Sequence, residues 1–168
     1  SRVHSKVYVA HVGDSRCYRV RDGEITLLTR DHSLLNDYLL VMPDMTQEQK
    51  DELPKNVITR ALGMQDTVVV DLVPEAPQAG DRYLLCSDGL SGMVSDEEML
   101  EAIAEAGPDI EGAVQRLVDL ANRAGGEDNI TVVIVGVTET EDVGRASTQS
   151  PPSADETAPH RAIEDEEA

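Results

Sequence analysis

Strand-like apolar runs in this chain end repeatedly in a glycine turn that carries an aspartate, and this corner limits the possible folds more than any other feature. It occurs at His11-Val12-Gly13-Asp14-Ser15-Arg16, at Leu84-Leu85-Cys86-Ser87-Asp88-Gly89-Leu90 and at Gly125-Gly126-Glu127-Asp128-Asn129-Ile130-Thr131. Strand ends hold side chains at rigid positions, and glycine lets backbone approach closely. Carboxylates supply the hard oxygen ligands that magnesium and manganese require. One aspartate after a strand is ordinarily a turn residue. Three such corners point instead to carboxylates converging on a divalent cation.

The runs between the corners read as strands first and helices late. Val7 to Gly13 alternates, Ser15 to Arg21 continues it, and Asp22-Gly23 joins that run to Glu24 to Thr29, so an antiparallel meander is expected. Ser33 caps a short helix to Val41, and Thr46 with Gln49 forms a capping box between Pro43 and Pro54. Thr67 to Val73 and Arg82 to Ser87 are strand candidates, separated by turn chemistry from Pro74 to Asp81. Ser95 with Glu98 opens one late helix, and Ile110 to Arg123 puts Ala113, Val114, Leu117, Val118, Leu120 and Ala121 on one broad apolar stripe in a second; Gly107-Pro108 separates them. Asn129 to Val137 is almost continuously apolar and β-branched, as in a strand buried on both faces. This order predicts an α+β fold with helices covering antiparallel sheets. From Thr138 to Ala168, low hydrophobicity, proline and like charge predict a disordered acidic tail.

Composition removes several classes of function. The net charge of −19 argues against a nucleic-acid or anionic-membrane surface. No apolar run approaches the roughly 18 residues of a membrane span, and no signal peptide opens the chain. His4, His11, His32 and His160 never stand at i, i+4 metal spacing, which argues against zinc. Cys17 and Cys86 lie in apolar strand patterns and read as buried structural thiols of a reducing cytoplasm. The core must be aliphatic, since the chain holds no Phe or Trp and only four Tyr. Neither Ser87 nor Ser91 completes a G-x-S-x-G nucleophile elbow, since Leu85 stands two places before Ser87 and Met93 two places after Ser91, and neither a P-loop lysine nor an EF-hand loop occurs.

Five segments, Val7 to Arg16 (VYVAHVGDSR), Arg30 to Ser33 (RDHS), Ile58 to Gly63 (ITRALG), Gly80 to Leu90 (GDRYLLCSDGL) and Gly125 to Val135 (GGEDNITVVIV), occur in an order that resembles the metal-dependent type 2C serine/threonine protein phosphatases, particularly the compact bacterial members. The resemblance implies an antiparallel β-sandwich flanked by helices. Residues 1–137 correspond to the C-terminal two thirds of a catalytic domain, followed by the tail at 138–168. The family's earlier acidic segment, its Asp-Gly-x-Gly-Gly motif and its phosphate-gripping Arg are not in the sequence, so the chain is expected to be an N-terminally incomplete fragment, inactive alone.

The resemblance also implies chemistry: two manganese or magnesium ions, with a looser third, activate a water that hydrolyses phosphoserine or phosphothreonine in proteins. Carried onto this chain, Asp88 and Asp128 match ligands of one catalytic metal, and Asp14 matches a ligand of the third. Gly89 allows the close turn, Asn129 orients Asp128, and Arg16 stands beside Asp14 as an ion-pair partner. Glu127 is set aside, because a strand starting there would point it to the opposite face. Asp31-His32-Ser33 and Thr59-Arg60 are assigned to loop scaffolding, and Val41 to Val57 to a flap that selects substrates. Implied partners are phosphorylated proteins and a serine/threonine kinase system. The alternative is a non-catalytic phosphatase-like regulatory or binding module.

Overall fold

Asp22 and Gly23 both take positive φ, 51° and 79°, as a two-residue hairpin turn demands. They join β2 (Arg16–Arg21) to β3 (Glu24–Leu27) with Arg21 opposite Glu24. The computed structural model describes residues 6–54 and 57–139. Its other strands are β1 (Val7–His11), β4 (Asp71–Glu75), β5 (Arg82–Cys86) and β6 (Val132–Gly136). Its helices are α1 (Leu34–Val41), α2 (Gln47–Glu52), the single turn α3 (Asp88–Ser91), α4 (Asp96–Glu105) and α5 (Ile110–Arg123).

All strand pairs are antiparallel, in a four-stranded sheet of order β3-β2-β5-β6 and a two-stranded ribbon of β1 with β4. This is the expected α+β architecture. One face of the four-stranded sheet carries Tyr18, Leu84 and Cys86 into a core closed by Leu90, Met99, Ile103, Leu117 and Ala121 from the helices. The ribbon stands at the other face, anchored by a 2.9 Å ion pair from Arg19 to Glu75. Between ribbon and sheet lies a groove of about 380 Å3 lined by Val9, Val12, Cys17, Leu85 and Val133.

The helices form where their caps predict. The Ser95 hydroxyl accepts the Glu98 N–H while the Glu98 carboxylate accepts the Ser95 N–H. Thr46 and Gln49 repeat this box at α2, Ser33 caps α1, and Asp109 caps α5 by accepting the Gly112 N–H. Cys17 and Cys86 are buried and unpaired, and burial pushes each thiol up to about 11.

Three expectations fail for identifiable reasons. β1 is not the first strand of a meander; it pairs with β4, His11 opposite Asp71, because the hairpin signal fixes only β2 with β3 and nothing local fixes β1 against β2. The fourth strand runs over Asp71–Glu75 rather than Thr67–Val73, and Pro74 lies inside it opposite Tyr8. Proline is admissible there because each strand of a two-stranded ribbon has a free edge. β6 is an edge strand, shorter than predicted and open on one face, with Val133 and Val135 about half exposed. The predicted tail lies, from residue 140 on, outside the described residues.

Candidate metal and phosphate site

The strands deliver their acidic corners to one place. Asp14, Asp88 and Asp128 line a single cavity of about 720 Å3, together with Arg16, Asp31, Gly89 and Glu127. Asp14 follows Gly13, whose φ of 107° is the left-handed region that glycine tolerates. Asp88 is the first residue of α3, directly after β5. Asp128 precedes β6, and its Oδ1 accepts the Asn129 N–H at 2.6 Å. The Asn129 contact to Asp128 is thus a main-chain one.

Gly89 sets the distance between two of these corners. A Cβ there would stand 2.5 Å from the Asn129 carbonyl oxygen, so only glycine lets the α3 backbone meet the 128–129 turn. Ser87 locks the same contact. Its hydroxyl donates to the Asn129 carbonyl at 2.9 Å and accepts the Thr131 N–H at 3.0 Å, and its own N–H donates to the Thr131 carbonyl at 3.1 Å. The sequence signal for this role of Ser87 is a hydroxyl between a buried strand and a carboxylate.

Two assignments change. Arg16 pairs with Asp31 rather than Asp14: its Nε and Nη2 reach the Asp31 carboxylate at 2.9 and 2.7 Å, and Nη1 donates to the Tyr18 hydroxyl at 3.1 Å. The neighbours Asp14 and Arg16 are thus divided between the cavity and a bidentate pair. Glu127, set aside from the sequence, lines the same cavity as Asp128. The strand starts only at Val132, so strand alternation does not govern residues 127 and 128.

Burial, and after it the charge of Asp88, push the Asp14 carboxyl above its ordinary value. Arg16 is the one cation among the described residues lining the cavity, and it is bound to Asp31. The wall is therefore rich in uncompensated hard oxygen donors, which fits magnesium or manganese. Among the described residues, no three His, Cys, Asp or Glu side chains are grouped so as to hold a metal ion by themselves. Water or further groups must complete any coordination shell. Leu35 and Asn36 of α1, with Val57 and Ile58, line the same cavity.

No family model matches the chain. It is 42% identical over 136 residues to the serine/threonine protein phosphatase PstP of Mycobacterium tuberculosis, covering 80% of this chain and 26% of that protein. It is 40% identical over 142 residues to a putative type 2C protein phosphatase of Streptococcus pyogenes, covering 84% of this chain and 56% of the relative. Among solved structures, the catalytic domain of PstP in complex with two manganese ions superposes with a TM-score of 0.68 at 41% identity, over 80% of this chain and 54% of that one. The chain thus spans about half the length of the compact relatives it matches, and less of PstP. Over that span it belongs to the type 2C serine/threonine protein phosphatases, as a homologue of part of their catalytic domain.

Proposed function

We propose that this chain contributes one side of a divalent-metal site for hydrolysing phosphoserine and phosphothreonine in proteins, as part of a complete type 2C catalytic domain. The supporting observation is that Asp14, Asp88 and Asp128, from three separate corners, line one cavity in which Asp14 already feels the charge of Asp88. Clustered like charge is unfavourable, and a cation relieves it. In this reading Asp88 and Asp128 hold one catalytic ion and Asp14 a looser third, with manganese or magnesium as the metal. Bound divalent ions supply a water acidified toward neutral pH and offset charge developing on phosphorus.

The chain's own residues prepare that chemistry. The Gly89 contact and the Ser87 hydroxyl hold the turns bearing Asp88 and Asp128 together. Asp31 keeps the Arg16 guanidinium from neutralising Asp14. Leu35, Val57, Ile58 and Met93 give part of the cavity wall an apolar lining against which the peptide flanking a phosphoresidue can lie. The substrates are phosphoproteins made by a serine/threonine kinase system, and buried free thiols fit the cytoplasm. Among the described residues, no helix is long and apolar enough to cross a membrane.

One observation favours the second reading, a non-catalytic module: no preassembled trio of ligands stands among the described residues. Manganese titration by calorimetry decides whether the chain binds metal here. The wild type is expected to bind weakly, and an Asp88→Asn, Asp128→Asn double variant to lose that binding; equal binding by both ends the metal reading. Completing the domain with the corresponding upstream portion of a relative separates enzyme from module. Manganese-dependent turnover of phosphoserine peptides, abolished by Asp88→Ala or Asp128→Ala and reduced by Asp14→Ala, supports the enzyme. Binding without turnover supports the module.

A further inference from the structure

His32 lies outside the cavity's carboxylates and is almost fully buried, at 2% exposure. Both main-chain polar groups of Gly13 meet it. The Gly13 N–H donates to His32 Nδ1 at 3.0 Å, and the Gly13 carbonyl accepts the His32 N–H at 2.8 Å. Gly13 is also the residue at φ 107°, a conformation that persists only where surroundings hold it. The direction in which Asp14 leaves this turn is therefore governed by one histidine.

The ring's proton can be placed from its partners. An amide N–H only donates, so Nδ1 accepts and the neutral ring carries its proton on Nε2. Nε2 stands 3.1 Å from Asp71 Oδ2, which takes that proton's hydrogen bond; Arg60 Nη1 lies 3.0 Å from the same nitrogen but directs its two hydrogens to Asp71 Oδ1 and the Val69 carbonyl. Arg60 fixes Asp71 from the other side, with Nη1 donating to Oδ1 at 2.8 Å. The His11 ring packs against the His32 ring with centroids 4.7 Å apart. The His32 carbonyl accepts the Thr59 N–H at 2.8 Å, Ser33 bridges Ile58, and the Leu34 N–H donates to the Val57 carbonyl at 2.9 Å. The run His32-Ser33-Leu34 thus joins the Asp14 turn to Val57, Ile58 and Thr59.

We propose that His32 is a positioning residue: through the Nδ1 bond to the Gly13 N–H, held in register by Asp71 and Arg60, it aims the Asp14 carboxylate into the cavity and, through the adjoining Ser33 and Leu34, ties that aim to Val57 and Ile58 of the cavity wall. This rests on the reading of Asp14 as a metal ligand. A groups-through-ligand arrangement of this kind commonly changes metal affinity by about 10- to 100-fold when removed.

Two near-isosteric variants separate positioning from simple packing. In His32→Asn, the amide oxygen replaces the Nδ1 acceptor and the Asp71 contact is lost. In His32→Gln, the amide reaches Asp71 and the Gly13 acceptor is lost. The test uses the full 15N-labelled chain, with manganese alone as the probe. In the wild type, ring nitrogen shifts are expected to show the Nε2–H tautomer; the Nδ1–H tautomer overturns the proposal without any variant. Paramagnetic broadening around Asp14 is expected to need about 10- to 100-fold more manganese in His32→Gln than in His32→Asn, while broadening around Asp88 and Asp128 is unchanged. Equal behaviour of the two variants, or a loss at all three aspartates that follows the denaturant midpoint, overturns it. If manganese binds nowhere in the wild type, the metal reading fails by itself. The Gly13 amide shift and the Asp14 backbone couplings then still decide: they must change in His32→Gln and persist in His32→Asn.

Discussion

Leu84 and Leu85 are neighbours on β5 with the same side chain, yet Leu84 is fully buried and Leu85 is 41% exposed. They belong to opposite faces of one sheet. The face bearing Leu84, with Tyr18 and Cys86, is closed by α4 and α5 and held by apolar burial. Among the described residues, the face bearing Leu85, with Val133 and Val135, meets the β1–β4 ribbon across an open groove, tied by ion pairs from Arg19 to Glu75 and from Arg21 to Asp81. Both faces have interior chemistry, and only one has an interior.

The largest expected effect tests that contrast directly. Leu84→Ala should cost about 2–5 kcal/mol, from lost burial and the cavity left behind, whereas Leu85→Ala should cost under about 1 kcal/mol. Denaturant midpoints measure both. A comparable loss at Leu85 would show that the open face is covered in solution, and the two faces would no longer differ.

A smaller effect probes the charged side. Asp81 is 1% exposed and accepts two 2.6 Å bonds from Arg21 and a 2.7 Å bond from the Gln78 N–H. Asp81→Asn leaves Arg21 without its counter-charge and should cost about 3 kcal/mol. The Arg21 bonds hold the folded Asp81 carboxyl below its ordinary 3.8, and His32 and Arg60 do the same for Asp71. A carboxyl depressed on folding stabilises above its unfolded value and ceases to as pH falls through its folded one. Acid below about pH 4 should therefore loosen the ribbon side first, read as faster amide exchange in β1 and β4 than in β5. Uniform loosening would contradict the division.

The smallest effect on stability falls between the faces. Gly89→Ala puts a methyl against the Asn129 carbonyl and should cost about 1–3 kcal/mol. The same change should separate Asp88 from Asp128 and weaken manganese binding more than Gly92→Ala, whose added Cβ meets the Asp88 carbonyl at 2.9 Å within its own helical turn.

Local chemistry made much of this legible in advance. Caps and the Asp-Gly turn act within four residues, so α1, α2, α4, α5 and the β2–β3 hairpin follow from the sequence. Asp14, Asp88 and Asp128 were legible because each marks a strand end, and the structure brings all three to one cavity. Long-range pairing was not. Nothing near Val7 announces that β4 is its partner, and β6's apolar run reads as doubly buried although described residues cover one face. Arg16 shows the same limit, since adjacency to Asp14 suggested a pair that Asp31, fifteen residues on, takes instead. His32 reads as loop scaffolding in the sequence because its partners, Gly13 and Asp71, are 19 and 39 residues away.

The Ser87 hydroxyl extends the β5–β6 ladder beyond its last registered pair, Cys86 with Val132, into the turn that bears Asp128. A side chain thus takes over the role of a main-chain rung where the two strands diverge. Loops ordinarily open on their own at small free-energy cost, independent of the sheet that carries them. Here the acidic turn cannot swing away without breaking rungs continuous with the central strands, so the lifetime of the carboxylate pair is inherited from the sheet, and its fluctuations belong to the cooperative unit rather than to the surface.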